Sequence, residues 1–203
     1  PRVQDPYCLR ATPQVLGAAL DAARQARATI ETELGAVTDN PLVFTEPGGA
    51  EGDGEIVSGG NFHGMPCAIS LDLAKIALCH VAGISERRVF WILSGHDPET
   101  HVHPYLSAKP GLNSGLMIAQ YTAAACCNEM RVLATPASVG NVSTSAGIED
   151  YNSMGATSAN HLLQVVDLVR SVIAIELVTM AEALEFQRPE CSGAGVESLH
   201  ARV

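Results

Sequence analysis

The stretch from Glu149 to Gln187 constrains this chain more than any other. It passes through Leu162, Leu163, Val165, Val166, Leu168, Val169, Val172, Ile173, Ile175, Leu177, Val178 and Met180 without a proline, and its single glycine is Gly155. Apolar residues fall on every face of the later turns, which predicts a helix buried nearly all round. At 1.5 Å per residue such a helix is about 55–60 Å long. A membrane span is the alternative reading, but Asp167, Arg170, Glu176 and Glu182 interrupt the apolar run. A helix this long and this apolar needs other long helices around it.

The rest of the chain supplies some of them. Aromatic residues are only 4% of the 203, while alanine, leucine and valine are plentiful, which favours closely packed helices over a β-sandwich. The expected class is therefore all-α, a bundle of long helices within a single domain, 1–203. A net charge of −10 argues against nucleic acid or an anionic membrane as partner. The six cysteines form no CxxC pair and several lie in helical apolar runs, so they are expected to be reduced, buried, cytoplasmic thiols. No signal-peptide pattern or internal repeat is present. Pro1 opens directly in a motif and Val203 falls in a helix predicted to begin near Val196, so a longer polypeptide is expected.

Candidate chemistry sits between the helices. Residues 1–13 are expected to be loop, with Gln4, Tyr7 and Arg10 close together. Arg10 could grip a carboxylate through two parallel charge-assisted hydrogen bonds, and Tyr7 could move a proton. A surface turn with an ordinary salt bridge fits the same residues. Thr12 as N-cap and Pro13 behind it predict a helix to about Ala36. Residues 42–60 follow as a loop with a short hairpin and a flexible acidic tip over Pro47–Gly54. Ser58–Gly64 is a tight bend carrying Phe62 and His63. His63 reads as a base, a ligand or a structural residue.

A helix is expected from Met65 to about Leu93. His96, His101 and His103 share a loop with Asp97 and Glu99, but neither a helical His pair nor a CxxC supports a metal, and a solvated loop is preferred. Met117 opens a helix running from about Ser114 to Leu133, as a core residue or facing a site at the helix mouth. A loop rich in hydroxyls and glycine, 135–147, leads to Glu149 and Asp150 at the start of the long helix. These acids either compensate the helix dipole or point one carboxylate into a site.

Taken together, Gln4-Asp-Pro-Tyr-Cys-Leu-Arg10, Thr38-Asp-Asn-Pro-Leu-Val43, Ser58-Gly-Gly-Asn-Phe-His63, Ser85-Glu-Arg-Arg88, Gly111-Leu-Asn-Ser-Gly115, Met117-Ile-Ala-Gln120, Pro136-Ala-Ser-Val139 and Glu149-Asp150 resemble the histidine ammonia-lyase family, within the aromatic amino acid lyases and aminomutases. The match runs in the family's order across almost the whole chain. It implies elimination of ammonia from an α-amino acid, urocanate being the product from histidine. The family's electrophile is a methylidene-imidazolone formed from Ala-Ser-Gly. That tripeptide does not occur here, the nearest sequences being Pro136-Ala-Ser-Val139 and Cys191-Ser-Gly193. The resemblance thus implies the C-terminal part of a lyase, without its last helices, assembled with an N-terminal half inside a homotetramer.

By the same resemblance, Arg10 holds the substrate carboxylate, and Tyr7 and Gln4 lie near the electrophile and the amino group. Phe62 packs near the electrophile, while Met117 and Glu149 face the substrate side chain. Glutamate at 149 points to histidine, because a carboxylate can pair with an imidazole N–H. Ile148 and Tyr151 stand where histidine lyases often carry glutamine and histidine. Another aromatic lyase, a 2,3-aminomutase and a non-catalytic helical assembly module are the competing readings.

Overall fold

Residues 3–45, 52, 54–97 and 99–203 are described by the computed structural model. Regular structure among them is helical apart from one two-stranded hairpin, as an all-α chain requires. The chain enters through a helical turn, α1 (Tyr7–Arg10), where loop was expected. Pro6 sets it up, its carbonyl accepting from Leu9 N at 3.0 Å and Arg10 N at 3.1 Å. The next helix, α2 (Thr12–Leu34), starts from a chain already coiled, so Thr12 is its first residue and not its cap. The Thr12 hydroxyl turns back to the Cys8 carbonyl, 2.9 Å away, and cannot satisfy an orphan amide ahead of it.

The hairpin forms as the strand-like residues suggest. β1 (Leu42–Thr45) pairs antiparallel with β2 (Gly54–Val57), Leu42 opposite Val57 and Thr45 opposite Gly54. The flexible tip expected over Pro47–Gly54 lies outside the described residues apart from Gly52 and Gly54.

α3 (Met65–Ser94) is the axis of the fold. Pro66 sits in its first turn, where the missing N–H removes no bond. Gly95 ends it at φ +62°, and a Cβ there would lie 2.8 Å from the Pro104 nitrogen, so glycine is required. Three helices pack along α3. α2 runs antiparallel, bringing Thr12 to Arg88. α4 (Met117–Leu133) also runs antiparallel, bringing Gln120 to Glu86 and the chain just past its end to Lys75. α5 (Gly155–Glu185) runs parallel, with Gly155 beside Ala68 and Glu176 beside Arg88. Ala82, Ala123, Met130, Val165 and Val172 are fully buried where α3, α4 and α5 meet. Alanine at two of these positions lets the backbones approach, and each buried valine contributes about 1.5–3 kcal/mol. A second cluster, Val89, Ile92, Leu93, Leu106 and Ala183, closes the far end of α3.

α5 is shorter and less enclosed than the Glu149–Gln187 run predicts. It begins at Gly155, behind Met154 at φ +55°, and covers 31 residues, about 46 Å. Residues 149–154 are irregular because the Asn141 and Asn152 side chains satisfy their backbone groups in place of a helical ladder. The buried face is one stripe, Ser158, Val165, Val169, Val172, Thr179 and Ala183, while Leu163 and Val178 are exposed. α6 (Ala194–His200) follows, tied back by Arg188 to Glu197 at 2.9 Å. The thiols also depart from expectation. Cys8, Cys67, Cys79, Cys126 and Cys127 are only half-buried and Cys191 is exposed, all of them free. Burial, reinforced by Glu86 and Cys126, pushes the Cys127 thiol up to about 11.

By length and composition α3, rather than α5, is apolar enough to cross a bilayer. Its interior charges show it to be a core helix instead. Lys75 is fully buried, its ammonium 2.8 Å from Asp72 and 3.3 Å from the Thr135 carbonyl. The other Asp72 oxygen accepts from Ser138 N at 2.9 Å. Burial alone raises the Asp72 carboxyl, but Lys75 and the Ser138 N–H outweigh it and hold Asp72 below the ordinary carboxylate range. A group depressed in the folded state contributes stability above its unfolded pKa and loses it as pH falls through the folded value. The parent is therefore expected to melt well above Asp72→Asn at neutral pH, with the gap shrinking below about pH 4. Melting temperatures of both proteins across pH 3–8 check this; a gap that widens in acid contradicts it.

Candidate functional site

The residues singled out in the sequence fall into two groups, at opposite ends of α3. The first gathers around α1. Arg10 Nε donates to the Asp5 carbonyl at 2.9 Å and Nη2 to Gln4 Oε1 at 3.1 Å. Its guanidinium lies over the Tyr7 ring, 4.4 Å from the centroid, an arrangement that fixes both side chains. Gln4, Tyr7 and Arg10 thus form one cluster on a short turn, with Tyr7 72% exposed.

This cluster is held by a charge to which the sequence alone assigned no role. Arg88 grips Glu176 with a two-pronged ion pair, its Nη2 2.9 Å from Oε2, and reaches past it to the Cys8 carbonyl at 3.3 Å. The Ser85 hydroxyl completes the Glu176 shell. Both charges were visible, Arg88 in a polar patch of α3 and Glu176 as an interruption of the apolar run in α5. Their pairing needed the parallel register of the two helices. Met117 opens α4 at this same end, half-buried, since Leu116 N donates to Tyr105 O at 2.8 Å and Gln120 meets Glu86 at 2.9 Å.

The second group lies where α3 and α5 begin. Phe62, His63 and Gly64 form one wall of a cleft of about 400 Å³, and Ile148 to Ser153 form the other. Phe62 and Glu149 are thereby brought together. Phe62 is 53% exposed, so its ring does not complete the chain's own core. Glu149 precedes α5 by six positions and cannot compensate that helix's dipole, which removes the bland reading of its charge. Thr144 fixes it, through Oγ1 to Glu149 Oε2 at 3.0 Å and N to its carbonyl at 2.9 Å.

Met65 and Arg88 are 23 positions apart in one continuous helix, which separates the two groups by about 35 Å. The chain by itself does not bring Tyr7 and Arg10 to Glu149. His96, His101 and His103 lie in the loop after α3 and are exposed, with His103 edge-on to Phe186 at 6.1 Å. Among the described residues no three His, Cys, Asp or Glu side chains gather to hold a metal ion.

A family model described as aromatic amino acid lyase matches residues 1–203. A histidine ammonia-lyase of Sorangium cellulosum (strain So ce56) is 47% identical over 203 residues, spanning 100% of this chain and 39% of that protein. One from Anaeromyxobacter sp. (strain K) is 48% identical over 202 residues, covering 100% and 38%. The crystal structure of histidine ammonia-lyase from Trypanosoma cruzi superposes with a TM-score of 0.89 at 38% identity, over 98% of this chain and 38% of that one. Pantoea agglomerans phenylalanine aminomutase superposes at 0.88 with 26% identity, over 99% and 38%. The chain thus spans less than two-fifths of the length of these relatives.

Replacing Arg88 by alanine strands the Glu176 carboxylate in a half-buried site and unties α1. The expected cost is about 3–5 kcal/mol in urea denaturation. Trypsin should also cleave after Arg10 faster, as peptide mapping would show.

Proposed function

The chain belongs to the aromatic amino acid lyase family, and from that footing we propose that it takes part in eliminating ammonia from L-histidine to leave urocanate. The observation that carries the reading is the cleft that Glu149 and Phe62 line together. A carboxylate at one wall accepts an imidazole N–H, and an aromatic ring at the other packs on a flat side chain. A phenyl side chain offers that carboxylate no partner.

The remaining roles follow from the groups present. Arg10 binds the substrate carboxylate through its planar fork, the carboxylate taking the place Gln4 Oε1 now holds on Nη2. The displaced Gln4 amide then has an acceptor to offer the amino group. Tyr7, held under the Arg10 guanidinium, presents a phenol that can accept or return a proton. Met117 supplies an apolar contact to the side chain. A methylidene-imidazolone, formed outside this Ala-Ser-Gly-free sequence, supplies the electron sink that makes ammonia a leaving group. The open faces of Tyr7 and Phe62 fit a group carried by another segment.

The distance along α3 supports a site shared between chains. Two clusters about 35 Å apart serve one substrate only if one chain's α1 end meets another chain's Glu149 end. The lyase is therefore a multi-chain assembly, a homotetramer in our reading, and the exposed apolar residues of α2 and α5 are its contact surfaces.

The test uses the complete polypeptide, assayed by near-ultraviolet absorbance with histidine, tyrosine and phenylalanine supplied separately. A conjugated product from histidine alone is expected. Glu149→Gln should lower histidine turnover by about 10- to 100-fold, the worth of one hydrogen bond to a charged group. Arg10→Ala should chiefly raise KM. A product from tyrosine or phenylalanine instead keeps the family and reassigns the substrate, a β-amino acid product makes it an aminomutase, and silence with all three favours a helical assembly role.

A further inference from the structure

We propose that His63 is a positioning residue, setting the width of the cleft by tying the Phe62 turn to the Glu149 segment; this rests on the reading that Glu149 faces the substrate. The His63 ring nitrogen Nε2 lies 3.0 Å from the Tyr151 carbonyl. A carbonyl only accepts, so Nε2 carries the proton and donates, in the neutral ring and in the imidazolium alike. The bond joins positions 88 apart in sequence and crosses from one wall of the cleft to the other. The two rings stand 6.2 Å apart and tilted by 32°, which keeps Tyr151 beside His63 at the same spot.

The two walls are each stiff on their own. His63 N donates to the Gly60 carbonyl at 3.1 Å, closing the Phe62 turn. On the other side, Asn141 Nδ2 donates to Asp150 O and Asn152 N to Asn141 Oδ1, both at 2.7 Å. Glu149 is pinned inside that loop by Thr144. These bonds fix each wall's shape, and the packing of Gly155 beside Ala68 holds the two walls together at the base. His63 adds the side-chain hydrogen bond that joins them above it. The base of the cleft allows close approach, since a Cβ on Gly64 would come within 3.3 Å of Ser153 Oγ. With the walls unlinked, the Glu149 carboxylate loses its register against Phe62, and substrate binding weakens before the chemical step does.

Three variants of the complete polypeptide test this. His63→Gln places an amide N–H at nearly the reach of Nε2, His63→Leu keeps bulk without a donor, and His63→Asn keeps polarity but falls short. Hydrogen–deuterium exchange of residues 148–153 reads the clasp whether or not the protein turns over an amino acid. We expect exchange there to rise about tenfold in the Leu and Asn variants and return to the parent rate in Gln, the scale of one lost hydrogen bond. KM for histidine should follow the same order, again by about tenfold, with kcat changed less. His63→Asn carries the comparison should the leucine variant not fold. Unchanged exchange in folded Leu and Asn variants overturns the clasp, as does a Gln variant as loose as they are. A clasp seen by exchange in a protein silent toward every amino acid upholds the positioning role and sinks the proposed reaction instead.

Discussion

A lysine ammonium buried without contact to water must be answered on the spot, and in this fold Lys75 is answered by Asp72 and the Thr135 carbonyl. The pair sits on α3 and both members reach outward. Asp72 takes the Ser138 amide and Lys75 the end of α4, so the chain leaving α4 is locked onto the central helix. Everything between that lock and Gly155, including Glu149, hangs from it. Hydrophobic contact between α3, α4 and α5 supplies most of the favourable energy, but it is non-directional. The buried charges decide which turn of one helix faces which turn of the next.

The far end of α3 repeats the device with other residues. Arg88 and Glu176 set the register of α3 against α5, and the same guanidinium takes the Cys8 carbonyl and so carries α1. Each end of the helix thus has an ion pair for structure and a cluster of chemistry-bearing side chains beside it. The helix acts as a spacer between them. The spacer is longer than any amino acid, so the two clusters of one chain cannot both touch one such molecule.

Much of this was legible in the sequence. The limits of α3, the hairpin and the helix ending at Leu133 follow from periodicity, Pro66 and the glycine turns, while the last helix spans Ala194–His200 and leaves out Val203, which was expected inside it. Gln4, Tyr7 and Arg10 were grouped correctly because they are close in sequence and lie on one short turn. Phe62 and Glu149 share a cleft that no local pattern could announce, because the two are 87 positions apart in sequence. What failed did so for physical reasons. The long apolar run suggested a helix from Glu149, yet asparagine side chains capture the backbone until Gly155. Thr12 looked like a cap, but the turn before it had already begun the coil. The apolar residues all round α5 called for more covering helices than this chain supplies, and within it the buried residues of α5 form one stripe.

The seam between α3 and α4 also has a chemical character that follows from its thiols. Burial pushes the Cys127 thiol up to about 11, which keeps it protonated at neutral pH. Cys79 beside it is raised by burial as well, and its Sγ leans on the Met130 carbonyl at 3.5 Å. Neighbouring cysteines at a helix contact would ordinarily invite oxidation and a cross-link that freezes the contact. Here the same desolvation that packs the seam favours the thiol over the thiolate and so weakens the nucleophile. Cys191, exposed beyond α5 and outside the packed core, lacks that burial.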